Sequence, residues 1–380
     1  MQFNLEQPVK IKVCRDSDKV IAEIVLERQY QKPLLVIDSY FLNHSKIKEL
    51  LKRFEDEGLT HVIYDQITTE PSIEQIDRGA KVYKDNKCDC IISIGGGSII
   101  DGARGINIVQ QCGGSIKDYM NGKAIPQRLS GQIALATTSG TGSELSNALV
   151  VTDPDLGKKI AILSDNILSD YAIIDAGFLT TLPKSISIMT GLDAFSHAFE
   201  AYTSKLSTPM VDVLCEKVMF LLRRYLPKVV SDRKDIEARE RVAIAAALSG
   251  LILNNGGTHI GHSLAHIVGA TYKIPHGACV AYALPATIKQ VAKVLPKKVE
   301  EVGYILGLDP SGQADIGSFV SQGFLAFRDE ILGLRPFEEY QISKAELLKL
   351  TDEVLEERFI VNSPIPVNKE LVEQVLEDFG

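Results

Sequence analysis

Four of the chain's seven histidines fall within 18 residues. His259, His262 and His266 lie in Thr258-His259-Ile260-Gly261-His262-Ser263-Leu264-Ala265-His266, and His276 closes the stretch in Ile274-Pro275-His276-Gly277. The first three are spaced three and four apart, which on an α-helix places them on one face. His276 precedes a glycine where the pattern opens a new helix. Upstream, Asp193 and His197 are four apart in Gly191-Leu192-Asp193-Ala194-Phe195-Ser196-His197-Ala198-Phe199-Glu200, again on one helical face. A lone histidine on an apolar helix is ordinarily a hydrogen-bonded core residue. Here a carboxylate and five imidazoles sit in two largely apolar segments, where apart from Glu200 and Lys273 little offers them a partner. Imidazole with carboxylate suits zinc or ferrous iron, whereas magnesium and calcium want all-oxygen shells. Three or four protein ligands leave a position open for substrate. Spacing alone leaves open which of His259, His262 and His266 is a ligand.

A second chemistry is written into the first half. Ile91-Ile92-Ser93-Ile94-Gly95-Gly96-Gly97-Ser98-Ile99-Ile100-Asp101 reads as a buried strand running through three glycines into a helix. Glycine lets a backbone approach a pyrophosphate closely, and the first free N–H groups of a helix favour an anion. The spacing is not GxGxxG, so a standard Rossmann fingerprint is absent. Ser98 and Asp101 fit a capping pair that would start the helix there. A second loop, Thr137-Thr138-Ser139-Gly140-Thr141-Gly142-Ser143-Glu144, follows another strand and offers backbone and hydroxyl donors to phosphate or ribose oxygens. Asp38 ends the first strong strand, where an acid accepts a bond from a ribose 2′-OH and repels a 2′-phosphate, favouring NAD over NADP.

The elements that must position these groups change in texture near Pro183. Before it, Leu34–Asp38, His61–Asp65, Cys90–Ile94, Ile133–Thr138 and Ala172–Asp175 read as strands, and Ile47–Glu57, Ile73–Lys84 and Ile99–Gln110 as helices, so parallel strands joined by crossovers are expected. After it, long periodic segments follow, Ser185–Tyr202, Met210–Tyr225, Asp235–Asn254 and Pro296–Leu306. Two domains are expected, an α/β dinucleotide-binding domain over 1–183 and an all-α metal-binding domain over 184–380, with the reaction in the cleft between them. At 380 residues, 45% hydrophobic and 24% charged, the chain has the composition of a packed enzyme-sized body. Acids outnumber bases 49 to 41 and no long basic run occurs, which argues against nucleic acid as a partner. The N-terminal residues Met1 to Glu6 lack a signal-peptide pattern and no run of about 18 uncharged apolar residues occurs, so no membrane association and a cytoplasmic location are expected. Six scattered cysteines do not form a disulfide framework.

In this order and spacing, Asp38, the Gly95–Ser98 turn with Asp101, the Thr137–Glu144 loop, the Gly191–His197 helix and the His262/His266/His276 set resemble the iron-containing (group III) alcohol dehydrogenase family, over roughly Pro33 to Pro285. The resemblance implies the two-domain dehydroquinate synthase-like fold. It makes Asp193, His197, His262 and His276 the ligands of Fe2+ or Zn2+. His266 becomes the histidine beside the metal that faces the nicotinamide and relays a proton, and His259 has no role carried over. It places Asp38 at the adenosine ribose, Gly95, Gly96, Gly97 and Ser98 at the pyrophosphate, and Thr137, Thr138, Ser146, Lys159 and Phe178 along the NAD. Two positions depart from the family pattern: Arg104 stands where lysine is usual, and Glu70 where asparagine is often found before the proline, here Pro71. The implied activity is interconversion of a small alcohol, diol or hydroxyacid with its aldehyde by hydride transfer, in a homodimer or larger homo-oligomer. A dehydroquinate synthase-like lyase is the alternative, but it needs a lysine and arginine cluster about the metal, and the stretch from His262 to His276 holds only Lys273. A glycerol dehydrogenase-like enzyme shares the same plan.

Overall fold

The computed structural model describes residues 3–154 and 158–380. Two compact units are present: one comprises Gln7–Thr138 and Gly142–Leu179, the other residues 3–6, Ser139–Thr141 and Thr180–Gly380. The chain thus changes unit at Leu179–Thr180, shortly before Pro183, the residue that N-caps the first long helix of the second unit. The middle of the Thr137–Glu144 loop belongs with the helices: Ser249 Oγ donates to the Gly140 carbonyl at 3.1 Å.

The first unit is a six-stranded parallel sheet of β1 (Lys10–Val13), β2 (Pro33–Ile37), β3 (Val62–Tyr64), β4 (Cys90–Gly95), β5 (Gln132–Ala136) and, after an antiparallel hairpin of β6 (Ala148–Asp153) and β7 (Lys158–Leu163), β8 (Tyr171–Ile174). Its order is β1-β8-β5-β4-β2-β3. Helices α1 (Ser17–Glu27), α2 (Ser45–Asp56), α3 (Ile73–Asp85), α4 (Gly97–Cys112) and α5 (Ile116–Met120) accompany it. Both faces of β2 and β4 are buried, which is why their residues read as continuous apolar runs. Successive side chains go to opposite cores. Leu34, Val36 and Ile91 meet Ile76 of α3 and Ile99 and Ile106 of α4. Leu35, Ile37, Ile92 and Ile94 meet Ile24 of α1 and Leu50 and Phe54 of α2.

In this unit β1, α1, α5 and both strands of the β6–β7 hairpin escape the sequence reading. β1 is an edge strand with all four residues exposed, so alternating lysines hide its β pattern. One expectation is corrected. Helix α4 starts at Gly97, with Gly96 as an N-cap lacking any side-chain cap bond, and the Ser98–Asp101 capping pair does not form. Ser98 Oγ instead accepts from the Glu70 N–H at 3.3 Å, and Asp101 Oδ2 from the Val150 N–H at 3.0 Å. The glycines turn the chain into the helix early, and Asp101 then finds its partner in β6.

The second unit is built from α6 (Lys184–Thr203), α7 (Pro209–Ser231), α8 (Ile236–Gly256), α9 (Ile260–Tyr272), α10 (His276–Ala292), α11 (Pro296–Ile305) and α12 (Ile316–Leu325), followed by short helical turns and a final helix, Lys369–Glu377. Phe195, Phe199, Leu222, Leu264, Tyr282 and Phe324 lie in its single core. From Gly191 to Thr203 every residue of α6 is buried. A helix buried all round has no solvent to satisfy its polar side chains. Asp193, His197 and Glu200 must therefore find partners inside the protein. All six cysteines are free. Among the described residues, no helix is long and apolar enough to cross a membrane.

Candidate metal and nucleotide sites

α6, α9 and the first residue of α10 bring Asp193, His197, His262 and His276 together, with one ligand atom of each within 4.8 Å of the others. Asp193 Oδ1 is the hub, 3.6 Å from His197 Nε2, 3.7 Å from His262 Nε2 and 3.4 Å from His276 Nε2. None of these three pairs is hydrogen-bonded, and the separations suit atoms arranged around a common ion. Asp193 Oδ1 and His262 Nε2 are buried without any hydrogen-bond partner. Such orphans are expensive unless something else satisfies them. Three imidazole nitrogens and a carboxylate oxygen are the donor set of a zinc or ferrous site, so the residues present fit the ion. The His197 and His262 rings stack at 4.7 Å. His276 is the most open of the four, its side chain 40% exposed.

Electrostatics prepare the same set. Burial opposes the Asp193 carboxylate, but His197 and His276 together hold its pKa well below the ordinary range. Burial pushes His197 down to about 3 despite Asp193, so its imidazole is neutral. An ionised aspartate and a neutral imidazole are the forms that bind metal. His262 differs: burial opposes its cation, but Glu200 and Asp193 override it and raise the group to about 9, so without the ion this imidazole carries a proton that metal binding displaces.

The three histidines that spacing alone could not separate are separated by where α9 begins. His259 is its N-cap, fully buried, and its Nε2 sits 3.0 Å from Thr203 Oγ1, outside the four-residue set. His266, one turn beyond His262, stacks on His276 at 5.4 Å. Its Nδ1 lies 3.3 Å from Glu357 Oε1, a tail residue with no local motif to flag it. Glu200, which the sequence offers as a partner for the imidazoles, has Oε1 3.0 Å from His262 Nδ1, although no role beyond that is read for it there. Its spacing from Asp193 and His197 on one helical face was the available signal.

In the nucleotide unit, the helices after β2 and β4 cover opposite faces of the sheet, α2 one and α4 the other. A crevice opens between such strands at their carboxyl ends. Asp38 follows β2, and its N–H donates to the Ile94 carbonyl at 3.0 Å; Thr137 follows β5, and its N–H donates to the Gly95 carbonyl at 2.9 Å. Asp38, Gly95–Ser98 and Thr137–Thr138 thus share one edge of the sheet. A Cβ on Gly96 would stand 3.1 Å from Thr138 Cγ2, a tight approach that the threonine side chain would have to yield to, and the uncapped start of α4 leaves N–H groups for an anion. This edge fits a dinucleotide. Asp38 Oδ1 accepts from the Tyr40 N–H at 3.0 Å. Ser146 is buried, with Oγ accepting from the Ala148 N–H at 3.1 Å. Lys159 is exposed and pairs with Glu70 at 2.6 Å, so the two positions tied to the cofactor meet each other. Phe178 follows β8; it is 1% exposed, stacked on His44 at 4.6 Å and edge-on to Phe41 at 5.5 Å, within the core against α1 and α2. Arg104 is fully buried and donates to the Ala148 carbonyl at 2.8 Å and to the Ser143 carbonyl, tying α4 to the second loop and the hairpin.

Residues 8–176 match the family described as iron-containing alcohol dehydrogenase, and residues 187–379 match the C-terminal part of the same family. The chain belongs to the iron-containing alcohol dehydrogenase family. It is accordingly an iron-type, NAD-dependent oxidoreductase. It is 35% identical over 284 residues to the NAD-dependent methanol dehydrogenase of Bacillus methanolicus, covering 74% of each chain. It is 32% identical over 284 residues to alcohol dehydrogenase 4 of Saccharomyces cerevisiae, covering 75% of this chain and 74% of that one. The alcohol dehydrogenase from Oenococcus oeni shares the fold with a TM-score of 0.93 at 24% identity, over 100% of both chains.

Proposed function

We propose that the chain interconverts a small primary alcohol, diol or hydroxyacid with its aldehyde, using NAD(H). The meeting of Asp193, His197, His262 and His276 at one buried point, with partnerless atoms facing inward, carries this reading. When bound, the ion polarises the alcohol or carbonyl oxygen and lowers the hydroxyl pKa, and the nicotinamide exchanges the hydride. Asp193, His197, His262 and His276 hold the ion. His266 handles the proton. Glu357 accepts from its Nδ1, leaving Nε2 free to take the hydroxyl proton, and a side chain 34% exposed can pass it on to water. Asp38 accepts from the adenosine ribose, the Gly95–Ser98 turn receives the pyrophosphate, and Thr137, Thr138, Ser146 and Lys159 line the nucleotide.

A homodimer or larger assembly is part of the proposal, supported by exposed Ile11 and Val13 on the edge strand β1. Six free cysteines support a cytoplasmic setting. The test is a panel of small aldehydes with NADH and with NADPH, on protein of measured metal content. Turnover of one substrate class with a net loss of NADH is expected, together with loss of metal and turnover in Asp193→Ala. Near-normal turnover by metal-depleted Asp193→Ala protein would refute the reading.

A further inference from the structure

Glu200 lies on the same face of α6 as Asp193 and His197, is 1% exposed, and belongs to neither the ligand set nor the nucleotide edge. Its two carboxylate oxygens do different work. Oε1 is 3.0 Å from His262 Nδ1, while Oε2 accepts the main-chain N–H of His259, the residue that opens α9. His259 is held in turn by its Nε2 contact of 3.0 Å with Thr203 Oγ1, back on α6. The room for the carboxylate is made by Gly261: a Cβ there would stand 2.2 Å from Glu200 Oε1. Three elements of the sequence, Glu200, the His259 backbone and Gly261, therefore converge on one arrangement. With Nδ1 of His262 engaged by Glu200, Nε2 is left facing Asp193 Oδ1 at 3.7 Å with no hydrogen-bond partner.

We propose that Glu200 is a positioning residue for the metal: it accepts the Nδ1–H of His262, fixes the tautomer whose Nε2 lone pair faces the ion, and sets the ring's orientation. The proposal rests on the four-residue metal reading above. A ligating imidazole whose far nitrogen donates to a carboxylate is a stronger base and a less mobile ligand than one left to rotate. Glu200 also adds a second buried negative charge to that of Asp193, so that the two carboxylates offset a divalent ion. Glutamine cannot replace it. Its amide has one oxygen, and turning that oxygen toward His262 leaves the NH2 group facing the His259 N–H, donor against donor.

The test uses apo protein prepared by chelation, titrated with Zn2+ in competition with a chromophoric chelator and with Co2+ followed by visible absorption. Wild type, Glu200→Gln and Asp193→Ala are compared. Glu200→Gln is expected to bind Zn2+ about 10- to 100-fold more weakly and to shift the Co2+ bands, while Asp193→Ala loses the site. Wild-type Zn2+ affinity with an unaltered Co2+ spectrum in Glu200→Gln, alongside loss in Asp193→Ala, overturns the role of Glu200 alone. Wild-type binding by Asp193→Ala overturns the metal reading itself. A merely structural role would lower the apo Tm and leave the Zn2+ affinity unchanged, which also counts against the proposal. If Glu200→Gln does not fold, Glu200→Asp, which keeps the charge but falls a methylene short of His262, takes its place with the same expected weakening.

Discussion

Gly277 offers the sharpest test of how the metal set is assembled. His276 is the first residue of α10, and the glycine after it lies directly against α6. An ideal Cβ at Gly277 would stand 2.3 Å from the Met189 carbonyl oxygen, 2.8 Å from its carbonyl carbon and 3.4 Å from Asp193 Cβ. Real Cβ atoms essentially never come closer than 3.0 Å, and the obstacle is helix backbone that cannot swing aside, so in Gly277→Ala the start of α10 must withdraw by about 0.7 Å or more. Metal–ligand distances tolerate only about 0.2 Å. His276 Nε2, now 3.4 Å from Asp193 Oδ1, is thereby carried out of the set.

Two measurable effects follow from one methyl group. Overpacking of this kind costs about 1–3 kcal/mol, which in a unit of this size lowers the apo Tm by roughly 2–12 °C. Zn2+ affinity falls by at least about tenfold as a ligand is displaced. His276→Ala is the control: it removes the ligand without the wedge, so affinity falls while the apo Tm stays near wild type. Chelator competition and thermal melts with and without Zn2+ read both quantities. Gly277→Ala protein with wild-type affinity and wild-type apo Tm refutes the reasoning, because the close approach of α10 to α6 would then not be what places His276.

Burial holds Asp101 and Glu144 up at about 7 each, against the pull of Arg104. The folded chain keeps these protons over the range, about pH 4 to 7, in which unfolded carboxyls lose theirs, so the stability they contribute falls as pH rises through that window. The double variant Asp101→Asn, Glu144→Gln should flatten the decline in Tm with pH, and an unchanged slope counts against this account. Glu70 sits in the left-handed region at φ 68 and engages Lys159 at 2.6 Å. Glu70→Asn, better suited to that conformation, frees the lysine and should tighten NADH binding roughly 1.5- to 5-fold by fluorescence titration, a gain that shrinks in high salt; an unaltered Kd refutes it. Glu357→Ala unlocks His266 and should lower kcat roughly 10- to 100-fold with metal content intact, so a wild-type kcat at full metal loading removes Glu357 from the proton path.

What could be read from the sequence followed from local periodicity. β2, β4, β5 and β8 are apolar because both their faces are covered, and that continuity is visible residue by residue. β1 is exposed at the sheet edge and leaves no such trace. Asp193 and His197 announce themselves by a four-residue step within a helix that has no polar face. The choice among His259, His262 and His266 was not legible, because it turns on α9 starting at Ile260, which leaves His259 outside the first turn and bound to Thr203. The Ser98–Asp101 pair failed for the same kind of reason: Asp101 answers to Val150, 49 residues away, and no window around the glycine turn contains it.

The glycines at the helix starts carry this argument furthest. Read locally, Gly261 and Gly277 are blemishes, each costing about 1 kcal/mol against alanine in a helix. In the fold each marks a point where a ligand-bearing helix touches α6, Gly261 where Glu200 reaches His262, and Gly277 where Met189 lets His276 approach Asp193. Both histidine ligands from outside α6 therefore follow or precede a glycine that faces α6, and neither contact can be inferred without knowing which helix lies opposite. The ligand types are a property of the sequence, but their convergence is a property of packing. A substitution that leaves all four ligands in place can therefore disperse the site as effectively as removing one of them.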